Sequence, residues 1–94
     1  MDQSEINNVL IDRLKKSHAL KAGIFGSFAR GENKKDSDID VLVKFKKSPS
    51  LLTLIKLENE LTEILGIKID LVTTGAIKNK RIRKSIEKDL IKLL

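Results

Sequence analysis

Apolar positions along the 94-residue chain follow two spacings, one helical and one strand-like. Over residues 4–17, Ile6, Val9, Leu10 and Leu14 recur every three or four positions, and Ser4 stands where an N-cap is expected. Residues 21–25 read as a short strand running into Gly26. Residues 26–31 (GSFARG) suit one helical turn with a glycine at each end to relieve crowding. A polar, lysine-bearing loop fills 32–37. Residues 38–45 (DIDVLVKF) form a second strand, its apolar run dense enough for a central strand covered on both faces. Ser48-Pro49-Ser50 breaks the chain. Residues 51–65 then show an amphipathic helix with Leu54, Leu57, Leu61 and Ile64 on one stripe and Gly66 just beyond it. A third strand over 67–72 is closed by Thr73-Thr74-Gly75, and a last helix over 78–94 carries Ile82, Ile86 and Leu90 on one face. This order predicts an α/β fold, a small sheet with helices packed on it, as one domain over 1–94.

Composition narrows the class. With 40% hydrophobic and 34% charged residues the chain is expected to be globular. No apolar run approaches the roughly 18 residues of a membrane span, and Met1 leads into a polar segment rather than a signal. The lack of cysteine excludes disulfide and thiolate chemistry and fits the cytoplasm. Most of the +6 net charge sits in residues 78–94, where seven Lys/Arg face two acids. Such a patch attracts phosphates, nucleic acid or an acidic partner, or is simply a solvated helix face. With three Phe and no Tyr or Trp there is no stacking platform for single strands, so partner docking is expected rather than direct nucleic-acid contact.

The chemistry concentrates at residues 24–43. Asp38 and Asp40 are two apart on a strand, so their side chains share a face opposite Ile39, Val41 and Val43. Paired carboxylates repel each other and resist desolvation; a divalent cation resolves both problems, and magnesium takes one or two carboxylates together with substrate phosphates. Asp70, in IKIDLVT, shares a face with Lys68 and Val72. If the third strand lies beside the second, Asp70 completes a two-metal site and is the natural proton acceptor. Gly26 lets backbone approach phosphate closely, Ser27 adds a hydroxyl, and Arg30 either pairs with phosphate or braces the loop. His18, the only histidine, is expected at a helix terminus or on the surface.

Gly26-Ser27, ten residues, then Asp38-Ile39-Asp40 is the spacing of the nucleotidyltransferase superfamily that includes DNA polymerase beta and kanamycin nucleotidyltransferase. The string GSFARGENKKDSDIDVLV in so short a chain closely resembles the minimal nucleotidyltransferases (MNT, or MntA-like), over essentially its whole length. The resemblance implies a small mixed sheet flanked by helices and two Mg²⁺ ions on Asp38, Asp40 and Asp70. It also implies ATP held at Gly26, Ser27, Arg30 and Ser37. Many such proteins resemble antitoxins that transfer AMP to a tyrosine of a HEPN-type toxin. This chain has no tyrosine, so such an acceptor would lie on another molecule. Two alternatives stay open: an idle MNT fold that neutralises a toxin by covering it, and an enzyme acting on a small molecule.

Overall fold

The computed structural model describes residues 2–31 and 38–94; residues 32–37, and with them the expected nucleotide contact at Ser37, lie outside the described residues. The chain runs α1 (Gln3–Lys16), β1 (Ala19–Phe25), α2 (Gly26–Ala29), β2 (Ile39–Phe45), α3 (Leu51–Leu65), β3 (Ile69–Thr73), a 3-10 turn at Thr74–Ala76, α4 (Lys80–Asp89) and β4 (Ile91–Lys92). The strands form one sheet in the order β3-β2-β1-β4. β1 runs antiparallel to both its neighbours, and β2 runs parallel to β3, so the sheet is mixed, as the family resemblance implies.

One face of the sheet is the core. Ile24 of β1, Ile39, Val41 and Val43 of β2, and Ile69 and Leu71 of β3 pack beneath Ile6, Leu10 and Leu14 of α1 and Leu57, Leu61 and Leu65 of α3. The alternation read from the sequence therefore has the right phase on β2 and β3. The other face of β2 is not sealed: Leu42 is half-buried and Lys44 exposed, so the expectation of a strand covered on both faces holds on one face only. On the open side α4 and the chain's last residues reach toward β1.

Local signals account for most boundaries, and the misses have physical causes. The cap of α1 is Asp2, not Ser4; its carboxylate accepts the Glu5 N–H at 2.9 Å. An anion at that end also suits the helix dipole. α1 is left through His18, a rare non-glycine residue with positive φ (64°). Ser50 caps α3, accepting the Thr53 N–H at 3.2 Å, and Gly66 ends it in the left-handed region. The buried stripe of α3 runs through Leu65; Ile64, about 60° around the helix from the fully buried Leu61, lies at the edge of the stripe and is 37% exposed. β3 is an edge strand whose outer N–H groups are not left open, since Thr62 Oγ1 accepts from Ile69 at 3.0 Å and Glu58 Oε2 from Leu71 at 2.7 Å. Side chains of α3 thus block strand addition at that edge.

The expected helix over 78–94 stops at Asp89. Leu90 turns extended, and Ile91–Lys92 pair with Gly23 and Ile24 while the Ala22 carbonyl accepts from Leu93 and Leu94. Closing the second edge of β1 competes with helix continuation and wins at the last five residues. None of Ile82, Ile86 and Leu90 is buried, and Ile82 is 53% exposed, so α4 covers little core.

Candidate active site

Register decides the site. β2 pairs with β3 so that Asp40 lies opposite Asp70, with Ile39 opposite Ile69 and Val41 opposite Leu71. Residues paired in register share a face, so the two carboxylates stand side by side on the open face while their neighbours enter the core. Asp38 immediately precedes β2 on the same side of the alternation, and its Oδ2 lies 3.8 Å from the Lys68 Nζ, an exposed and loose pair. The register thus places Asp70 and Asp40 on one face of the sheet.

Asp40 feels this company. Burial pushes its carboxyl above the ordinary range, and the charges of Asp70 and Asp38 push it further. No histidine is involved; His18 lies at the far end of β1.

Gly26 closes the site from the other strand. Phe25 of β1 lies opposite Asp40, and the chain turns at once into α2. Gly26 has φ +77°, and a Cβ built on it would fall 2.6 Å from Asp40 Oδ2. Only glycine lets this turn rest directly against the carboxylate. The starts of α1, α3 and α4 are capped by the side chains of Asp2, Ser50 and Asn79, whereas α2 begins after Phe25 with no side-chain cap. The first N–H groups of a helix have no intrahelical acceptor, so α2 presents uncapped donors, with Ser27 among them, beside Asp40.

Arg30 ends α2, and its Nη1 donates to Asp89 Oδ2 of α4 at 3.1 Å. The pair ties the end of α2 to α4. Asp89 went unnoticed in the sequence, since it sits 59 residues away inside what reads as an unbroken basic helix.

These residues fit divalent magnesium. Among the described residues no three acids or histidines are gathered into a ready-made ion cage. Magnesium rarely uses one; it takes one or two carboxylates and completes its shell with water and substrate phosphate. Asp40, destabilised by two neighbouring acids next to a backbone turn that can admit phosphate, matches that mode.

Residues 4–93 match the family model described as Nucleotidyltransferase domain. A Methanocaldococcus jannaschii protein, named as a candidate protein adenylyltransferase, is 50% identical over 92 residues, covering 94% of each chain. The protein adenylyltransferase MntA of Thermococcus cleftensis is 45% identical over 69 residues, 73% of this chain and 69% of that one. A chain from the solved complex of tri-AMPylated Shewanella oneidensis HEPN toxin with MNT antitoxin superposes with TM-score 0.80 at 19% identity, over 99% of this chain and 72% of that chain, and so shares the fold. With an acid pair in register across parallel strands, a glycine turn pressed against it and a family match over nearly every residue, the chain belongs to the nucleotidyltransferase domain family.

Proposed function

We propose that this chain transfers AMP from ATP to the phenolic hydroxyl of a tyrosine on a partner HEPN-type toxin, silencing it as its antitoxin. The observation that carries the reading is the meeting of Asp40, Asp70 and Gly26 on one face. The names of relatives at 45–50% identity support the reaction, and the shared fold with the antitoxin of a HEPN complex supports the partner. The chain's own lack of tyrosine places the acceptor on another molecule.

The hydroxyl oxygen attacks the α-phosphorus. An O–P bond forms as the bond from the α-phosphorus to the bridging oxygen breaks, and pyrophosphate leaves with the electron pair. Asp70 takes the hydroxyl proton. The Gly26 turn and the Ser27 hydroxyl hold the leaving phosphates, and Arg30, kept at the end of α2 by Asp89, supplies positive charge to them. Asp38 and Asp40, with Asp70, would hold two Mg²⁺ ions, which neutralise phosphate charge and make the hydroxyl more acidic. Positioning and charge neutralisation supply most of the rate in such reactions. A cytoplasmic location fits ATP as substrate; among the described residues no helix is long and apolar enough to cross a membrane.

The test is incubation of the chain with Mg²⁺, α-labelled ATP and its co-expressed helical partner, followed by mass spectrometry. Label on a partner tyrosine, absent with Asp40→Asn, is expected. Tight binding without any transfer would replace the enzyme with a binding module, and transfer to a small alcohol alone would remove the protein acceptor.

A further inference from the structure

Beside the acids, on the same open face, lies a cavity of about 270 Å³. Its floor is Gly23 and Leu42, which lie opposite each other on β1 and β2; Leu90 and Leu94 form an apolar wall, and Lys21, Lys44 and Lys92 line it as well. Leu42 is two residues beyond Asp40, so the cavity opens about 7 Å along the strand from the carboxylate, and Lys44 stands about 13 Å away. None of the three acids lines it.

The lysines are arranged against stability. Lys21 lies directly opposite Lys44, and Lys92 lies opposite Gly23 on the next strand. Like charges in facing positions destabilise a sheet. Among the described residues none of the three has an acidic partner, although the chain has thirteen acids to draw on. An apolar hollow lined by three unpaired cations is complementary to an apolar segment bearing acidic side chains.

Its position relative to the acids gives that segment a role. Asp40 stands between the Gly26 turn, past the end of β1, and the cavity, which begins two residues back from Phe25. In-line displacement requires the attacking and leaving oxygens on opposite sides of the α-phosphorus. With the leaving phosphates on the Gly26 turn, attack comes from the cavity side. We propose that this lysine-lined cavity docks an acidic, apolar segment of the acceptor protein and so delivers its hydroxyl to Asp70. The inference rests on the transfer reaction above, and it adds the acceptor's docking surface and chemistry.

Two synthetic tyrosine peptides of equal apolar content, one flanked by glutamates and one by lysines, test it. Binding is read by fluorescence anisotropy and transfer by label from ATP. The wild-type chain is expected to bind and modify the glutamate peptide at least about tenfold better, and the preference should fade with salt. The double variant Lys21→Glu/Lys44→Glu should reverse the preference, with its affinity for ATP within about twofold of wild type. Lys21→Gln/Lys44→Gln, which cannot add repulsion within the sheet, should abolish the preference while melting like the wild type. No charge preference in the wild type, or lost ATP affinity in the variants with peptide binding intact, overturns the proposal, the latter by assigning the cavity to the nucleotide. Charge-dependent binding with no transfer to either peptide would retain the docking surface and remove the reaction instead.

Discussion

On β2, Ile39, Val41 and Val43 have no solvent-exposed surface, whereas Asp40, Leu42 and Lys44, interleaved with them, are half-buried or exposed. The first set meets two helices and is uniformly aliphatic. The second set passes from acid to leucine to lysine within five residues, and burial of Asp40 beside Asp70 and Asp38 works against folding. Stability is vested in one face of the strand and chemistry in the other, separated only by the pleat. Adjacent substitutions should therefore have opposite signatures.

Asp40→Asn and Ile39→Ala give the sharpest division. Removing the carboxylate should lower AMP transfer by about 10³-fold or more, since several kcal/mol of charge stabilisation depend on it. Its melting temperature should hold or rise, because repulsion is relieved. Ile39→Ala should cost about 2–5 kcal/mol of stability yet leave the rate per folded molecule near wild type at low temperature. Thermal melts beside initial-rate assays decide the matter; matching stability losses in both variants would erase the distinction between the faces.

Two glycines carry the same comparison into the turns. Gly26 and Gly66 both have positive φ, but a Cβ at Gly66 meets nothing within 4 Å while one at Gly26 meets Asp40 Oδ2. Gly66→Ala should cost about 1–2 kcal/mol of stability and no activity. Gly26→Ala adds displacement of a reacting group, and about 10–100-fold in rate should go with it. Equal rates for the two would mean that the Gly26 turn is an ordinary bend.

Much of this was legible in the sequence, and unevenly so. Alternation fixed which residues of β2 and β3 enter the core, and the Gly-Ser to Asp-Ile-Asp spacing pointed to the candidate site. The sequence could state the meeting of Asp70 with Asp40 only conditionally, because register between strands joined by a long crossover is a tertiary fact. The end of α4 was misread for a related reason: residues 90–94 fit a helix locally, and only the unpaired edge of β1, absent from any local window, draws them out of it, with Ile91–Lys92 pairing as a strand. Asp89 and the Lys21–Lys44 pairing were invisible for the same cause.

Asp40 also predicts a pH signature for the magnesium-free protein. Its carboxyl titrates above the ordinary 3.8, so the folded state holds its proton more tightly than the unfolded state. Between the ordinary and the raised value the native chain binds more protons, and stability falls as pH rises through that window. Melts in EDTA should show this decline superimposed on the other carboxylates, and Asp40→Asn should lack it. Mg²⁺ with a non-hydrolysable ATP analogue should remove it too, by stabilising the ionised form. A decline of equal size in Asp40→Asn would assign it to some other group.

The smallest effect belongs to Lys68, which sits on the chemical face without belonging to the chemistry. Its Nζ lies 3.8 Å from Asp38 Oδ2, with the two side chains 67% and 40% exposed. Water and salt screen such a pair to about 0–1 kcal/mol, so Lys68→Gln should move stability by no more than about 0.5 kcal/mol. Its consequence should surface instead in metal dependence, because Lys68 and Mg²⁺ compete for the same carboxylate. Removing the lysine should lower the Mg²⁺ needed for half-maximal transfer by about two- to threefold at low salt, and by less at high salt. A rise in the Mg²⁺ requirement would show that Lys68 holds Asp38 in its ligating position, and the division between a face that folds and a face that reacts would then have to include a cation on both sides.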